Sequence, residues 1–181
     1  MLNRIRVVTM LMMVLVIFAL LQLTSGGLFF SSLKQNQDSF AASNDLRMQQ
    51  SELTTTWDLM LQTRINLSRS SARMMMDPNN QQSSAKTELL KNARATLADA
   101  AKHYDAFKKI APQPAMAQAS ANIDEKYQAY FAGLTELVQF LEKGNMDAYF
   151  AQPTQGMQNA LGAALGEYAK ASGELYHSAF T

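Results

Sequence analysis

The chain of 181 residues contains no cysteine, two histidines, four prolines and eight glycines. Without cysteine, a disulfide framework and a thiolate metal site are both excluded. The sequence also lacks an HExxH motif, a P-loop and a glycine-rich dinucleotide turn. No catalytic constellation can be assembled from what remains, so we expect neither an enzyme nor a cofactor. Scarce proline and glycine, with abundant alanine, leucine and glutamine, are typical of a helical protein.

Residues 7–30 carry no charge, and Arg4 and Arg6 stand just before them. A helix of about 24 residues rising ~1.5 Å per residue exceeds the ~30 Å hydrocarbon core of a bilayer. Basic residues favour the cytoplasmic side, so we expect a cytoplasmic N-terminus at 1–6, a transmembrane helix at 7–30 and a domain at 31–181 on the far side. The alternative is a cleaved signal peptide, whose apolar region is usually ~7–15 residues. The longer run here favours a retained anchor.

Beyond residue 30 the charges are nearly balanced, with 14 basic and 15 acidic residues and a net charge of −1. That balance gives no reason to expect nucleic-acid binding. About 150 residues are enough for one domain with a sizeable core. Because disulfides are excluded, packing must stabilise this domain.

Helix-breaking residues at 77–80, 112–114 and 143–153 divide this domain into four long segments, and each segment repeats its apolar residues at helical spacing. The repeats are Leu46, Leu53, Met60, Leu67 and Met74; Leu90, Ala93, Leu97, Ala100, Tyr104 and Phe107; Ile123, Tyr127, Tyr130, Leu134, Leu137 and Leu141; and Met157, Leu161, Ala164, Tyr168 and Leu175. We predict an all-α fold, an up-down-up-down antiparallel four-helix bundle preceded by a transmembrane helix that is continuous with the first bundle helix. The fourth segment runs to Thr181 without a stop signal, which suggests a C-terminally truncated domain.

A basic cluster lies on the first predicted bundle helix. Neither Arg64 nor Arg69 has a carboxylate three or four residues away to neutralise it. At about 100° per residue, Arg69 and Arg73 share one face, while Arg64 and Ser68 point nearly the opposite way. One helix cannot aim all three arginines at one ligand, but two copies side by side can. The pattern suggests an anion site across a homodimer, suited to two carboxylates; the alternative is a solvated basic face.

A second cluster, formed by Tyr149, Phe150, Gln152 and Thr154, precedes the fourth bundle helix. Pro153 and Thr154 predict a helix start whose free amides and hydroxyl attract an anion. Carbonyl groups of a non-helical stretch at 149–152 could accept hydrogen bonds from an ammonium group. The two clusters together offer the groups that an amino acid needs. The alternative is an ordinary capped turn that closes the end of the bundle.

At these two clusters the sequence resembles the bacterial methyl-accepting chemotaxis receptors and, among them, the enterobacterial aspartate receptors. The likeness runs from RIRVVT at Arg4 through TWDLM at Thr56 to QPTQG at Gln152, and it is most specific over 61–77. The resemblance implies that L-aspartate binds at the interface of a homodimer. The contacts it implies are Arg64, Ser68, Arg69, Arg73, Tyr149, Phe150, Gln152 and Thr154.

The resemblance also implies two symmetry-related sites, with Arg64 and 149–154 from one chain and Arg69 and Arg73 from the other. Such a receptor lies in the bacterial inner membrane with its main domain in the periplasm. Ligand binding would displace the fourth helix slightly, and the signal would reach a cytoplasmic histidine kinase and a coupling protein through parts absent from this chain. Some members also respond to a periplasmic sugar-binding protein, an input that the charged tip at 143–147 argues against here.

Two alternatives stay open at this point. The chain could belong to the same receptor family with specificity for serine or another amino acid. It could also be a membrane-anchored structural bundle with no small-molecule ligand, although that interpretation leaves Arg64 and Arg69 without an explanation.

Overall fold

The computed structural model describes residues 2–77 and 84–178. It contains five α-helices, α1 (Leu2–Met76), α2 (Ser84–Lys109), α3 (Ala117–Glu142), α4 (Met146–Ala151) and α5 (Thr154–Ser178), with a 3₁₀ turn at Pro114–Met116. Those two ranges contain no strand, so the predicted all-α class is confirmed. The four long helices are the predicted ones, and the short α4 was not expected. The break predicted at 77–80 begins at Asp77, where α1 has ended, but its last three residues lie outside the described ranges.

The chain divides into two compact units, Met1–Ser43 and Asn44–Thr181. Helix α1 runs through both without interruption, which confirms that the apolar segment is continuous with the first bundle helix. In the first unit the large apolar side chains between Met10 and Phe30 are exposed. Among the described residues, α1 is the one helix that is long and apolar enough to cross a membrane.

In the second unit, α1 and α2 run antiparallel. Glu52 Oε2 lies 2.6 Å from His103 Nδ1, and the hydroxyl oxygens of Thr63 and Thr96 lie 2.7 Å apart. Residue numbers rise along α1 while they fall along α2, as an antiparallel pair requires. The same reversal relates α2 to α3, through the pairs Tyr104–Asp124 and Arg94–Glu142. It relates α3 to α5 through Asn122–Glu167 and Tyr130–Gln158. It also relates α1 to α5 through Gln49–Tyr168 and Arg64–Gln158. The up-down-up-down bundle is thus confirmed.

Apolar residues predicted from the repeats form the core of this bundle. All five on α1, all six on α2 and all six on α3 are buried, as are Leu161, Ala164 and Tyr168 on α5. Met157 and Leu175 are partly buried and pack against the same core. Apolar area removed from water is the main favourable term in folding, so this continuous core supplies the packing that a cysteine-free domain needs.

Helix α1 also buries a row of polar side chains three residues after each of the first four apolar positions: Gln49, Thr56, Thr63 and Ser70. Gln49 is the best satisfied of them, because its amide donates to the Ile110 carbonyl at 2.9 Å and accepts from the Tyr168 hydroxyl at 2.7 Å. Through these two bonds Gln49 joins α1 to the end of α2 and to α5. A buried polar group stabilises a fold when it is paired in this way.

Candidate ligand-binding site

The three arginines of the basic cluster on α1 lie on different sides of the helix. Arg64 is half-buried, and its guanidinium donates a hydrogen bond to the Gln158 Oε1 of α5. Arg69 and Arg73 are exposed, and their side chains form no hydrogen bond or ion pair with any residue of 2–77 or 84–178. The angular separation of Arg64 from the other two arginines is therefore present in the folded chain.

The connection from α3 to α5 supplies the other half of the site. Gly144 adopts φ 69° after the end of α3, a conformation that glycine tolerates better than other residues. Asn145 then caps α4, because its side-chain oxygen accepts from the Ala148 amide at 3.1 Å. The prediction of a non-helical 149–152 stretch is wrong for residues 149–151, which belong to α4. The physical reason is the helix-capping preference of asparagine, which starts a helix at this point.

The start of α5 also differs from the prediction. The helix begins at Thr154, as expected. The Thr154 amide, however, donates to the Gln152 carbonyl at 2.8 Å, and the Thr154 hydroxyl donates to the Gln152 Oε1 at 3.0 Å. These two donors are engaged within the chain rather than free. Gln152 Nε2 in turn donates to Glu136 Oε2 of α3 at 2.5 Å, so Glu136 fixes which way the Gln152 amide faces.

Between α1 and this connection lies a cleft with a volume of about 360 Å³. Its lining residues are Arg64, Ser68, Ser71, Leu137, Tyr149, Phe150, Gln152, Thr154 and Gln155. Six of the eight site residues predicted from the sequence line this one cleft. Arg69 and Arg73 do not line it, because they lie on the other side of α1. A single chain therefore places one arginine in the cleft and leaves two for a different surface.

Arg64 supplies the positive charge of the cleft, and two aromatic rings form part of its wall. The rings of Tyr149 and Phe150 meet edge to face, with centroids 5.2 Å apart, and Phe150 is 60% exposed at the rim. No carboxylate among the described residues forms an ion pair with Arg64.

Burial raises the pKa of Tyr130 above its ordinary value despite the opposing charge of Arg64, so its hydroxyl is protonated at neutral pH and donates to Gln158 at 3.2 Å.

Three polar residues around the cleft are not among the predicted site residues: Tyr130, Glu136 and Gln158. The apolar repeat identifies Tyr130 as a core residue by its ring and gives no sign of the role of its hydroxyl. Gln158 lies four residues after Thr154 and so shares its helix face, a spacing that could have identified it. Glu136 gave no signal, because an exposed acid on a helix is usually only a solvated charge.

These features define a helical bundle with an arginine-containing cleft near one end. A family model described as the Tar ligand binding domain homologue, TarH, matches residues 1–174. The chain belongs to this family, the ligand-binding domains of methyl-accepting chemotaxis receptors, and it is the sensory part of such a receptor.

Individual relatives agree with that assignment. The chain is 43% identical over 161 residues to methyl-accepting chemotaxis protein I of Escherichia coli strain K12, an alignment that covers 88% of this chain and 29% of the relative. It is 30% identical over 169 residues to the methyl-accepting chemotaxis aspartate transducer of Klebsiella aerogenes, covering 93% and 31%. It is 31% identical over 153 residues to the citrate transducer of Salmonella typhimurium strain LT2, covering 81% and 27%. The chain spans less than a third of the length of each relative.

Proposed function

We propose that this chain is the sensor of a transmembrane chemotaxis receptor that binds L-aspartate between the two protomers of a homodimer. The observation that carries the proposal is the incomplete cleft. It contains Arg64 and several polar groups, while Arg69 and Arg73 lie exposed on another surface of the same helix and pair with none of the described residues. A partner protomer that lays its α1 alongside would bring its own Arg69 and Arg73 to this cleft.

L-Aspartate matches the chemistry of the completed site. Its two carboxylates can be bound by arginines from both protomers, since the planar guanidinium forms paired hydrogen bonds with a carboxylate. Its ammonium group needs acceptors, which the Gln152 side chain and the carbonyl groups at the end of α4 can offer. Ser68 and the rings of Tyr149 and Phe150 would contact the remainder of the ligand.

In this proposal residues 7–30 of α1 cross the bacterial inner membrane. Residues 1–6, with Arg4 and Arg6, are cytoplasmic by the positive-inside rule, and residues 31–181 form the periplasmic domain. Aspartate would join α1 and α5 across the cleft and displace α5 slightly along its axis. The remaining length of the whole receptor would carry that displacement to a cytoplasmic histidine kinase and its coupling protein. A periplasmic sugar-binding protein is a further partner to test, at the tip that contains Lys143 and Asp147.

The proposal is tested by calorimetric titration of the chain, as a dimer in lipid nanodiscs, with L-aspartate, L-asparagine, L-serine and citrate. We expect heat of binding with L-aspartate and at least ~100-fold weaker binding of L-asparagine, because the neutral amide leaves an arginine without its carboxylate. Binding of serine or citrate without aspartate would keep the receptor family and replace the ligand. No binding of any of the four by a folded dimer would favour the ligand-free structural bundle.

A further inference from the structure

Gln158 makes an unusual pair of contacts behind the cleft. Its Oε1 accepts one hydrogen bond from the Arg64 guanidinium and a second from the Tyr130 hydroxyl, which lies 3.2 Å away. An amide oxygen has two lone pairs, and both are used here. Gln158 itself does not line the cleft, so these contacts orient a cleft residue from outside it.

Tyr130 makes this arrangement rigid. Its side chain is fully buried, and its ring centroid lies 6.4 Å from that of Trp57 on α1. A buried tyrosine hydroxyl needs a partner, and Gln158 supplies it. The Gln158 side chain is consequently held by a group that cannot rotate away without leaving a buried donor unpaired. The hydrogen bond to Arg64 then restricts a long side chain that otherwise has many rotamers.

The guanidinium keeps most of its hydrogen-bonding capacity in this arrangement. Arginine has five N–H donors, and the bond to Gln158 uses one nitrogen, Nη1. The donors on the other nitrogens stay available to a ligand carboxylate. The partner is also uncharged, so Arg64 retains its full positive charge, whereas a glutamate at this position would neutralise it.

We propose that Gln158, held in place by Tyr130, is a positioning residue that orients the Arg64 guanidinium for the ligand carboxylate before the ligand arrives. This inference rests on the proposed function for its ligand, but the orientation of Arg64 can be measured without any ligand. The bond also joins the ligand-contacting arginine of α1 to α5, the helix whose displacement is the proposed signal. Preorganisation of this kind strengthens binding by removing the cost of ordering the side chain on contact.

The first experiment uses the ligand-free chain in detergent micelles. Nitrogen–proton NMR of the arginine side chains is recorded for the unsubstituted chain, for Gln158→Ala and for Gln118→Ala, an exposed glutamine on α3. Arg64→Lys identifies the Arg64 signal by its loss. We expect slowed guanidinium rotation for Arg64 in the unsubstituted chain and in Gln118→Ala, and free rotation in Gln158→Ala. Unchanged rotation in Gln158→Ala would overturn the proposal, whether or not the chain binds aspartate.

The second experiment measures L-aspartate affinity by calorimetry in the same variants. Gln158→Ala should weaken binding about 10-fold and Tyr130→Phe about 3-fold, while Gln118→Ala should have no effect. If Gln158 acts through the guanidinium, its replacement should cost less than about 3-fold in an Arg64→Lys background. An equal 10-fold loss in both backgrounds would indicate a general disturbance of α5 and contradict the positioning role. Failure of the unsubstituted chain to bind aspartate would refute the proposed function, leaving the NMR result to decide the orientation of Arg64.

Discussion

Replacing Arg64 or Arg73 with alanine is expected to weaken L-aspartate binding by ~100-fold or more, as measured by calorimetry. Each substitution removes one charged partner of a ligand carboxylate and leaves the other charge desolvated, which typically costs about 2–5 kcal/mol. Arg64 acts from inside the cleft, whereas Arg73 lies outside the cleft of its own chain. A large loss in Arg73→Ala is therefore the more informative result, since it requires a second protomer.

Arg47→Ala is the matched control for both substitutions. Arg47 lies on α1, is exposed, and makes a 3.5 Å hydrogen bond to Asn44 away from the cleft. Its replacement removes the same charge from the same helix and should leave aspartate affinity unchanged. Equal losses in Arg47→Ala and Arg73→Ala would mean that the net charge of the domain attracts the ligand, without a specific clamp.

A second large effect is expected in the core. Met60 is fully buried on α1, with 0% of its side chain exposed, and its replacement by alanine should lower the free energy of unfolding by about 2–5 kcal/mol through lost burial and a cavity. Urea unfolding followed by fluorescence measures this value. The chain has a single tryptophan, Trp57, which is partly buried against the bundle core and so reports on the second unit alone.

Met48→Ala provides the control for this measurement. Met48 has the same side chain on the same helix, but 47% of it is exposed. Its replacement should change the free energy of unfolding by about 0.5 kcal/mol or less. Similar losses of unfolding free energy at the two positions would contradict the assignment of Met60 to the core.

The buried apolar positions of the bundle were predictable from the sequence, whereas the buried polar positions of α1 were not. The repeat from Leu46 to Met74 identified one buried line on α1, because large apolar residues recur every seven positions. The row of buried polar side chains on α1 includes Thr56, Thr63 and Ser70. Residues of these types usually lie on the surface. Thr56 and Thr63 can be buried because their hydroxyls donate to the Glu52 and Leu59 carbonyls of the preceding turn, at 2.8 and 2.9 Å. This local pairing leaves no mark in the hydrophobic pattern.

In the candidate site, too, some features were predictable from the sequence and others were not. Arg64 and Thr154 could be singled out from unpaired charge and helix-start chemistry, and the structure brings both to one cleft. The bond between Arg64 and Gln158 could not be foreseen, because it joins residues 94 positions apart through the packing of α5 on α1. The helical state of 149–151 was also missed, since a helix as short as α4 depends more on its cap at Asn145 than on its own pattern.

In the proposed receptor each ligand site is shared between two protomers. Two mixed dimers, isolated with different affinity tags on the two chains, test it most directly by calorimetry with L-aspartate. In the first, one chain carries Arg64→Ala and the other Arg73→Ala. In the second, one chain carries both substitutions and its partner carries none.

A shared site predicts opposite results for the two dimers. The first retains one intact site, built from Arg64 of one chain and Arg73 of the other, and should bind about one aspartate per dimer with an affinity within ~3-fold of the unsubstituted protein. The second has a substitution in each of its sites and should show no measurable binding. Binding by the second dimer and not by the first would place each whole site within one chain and contradict the account.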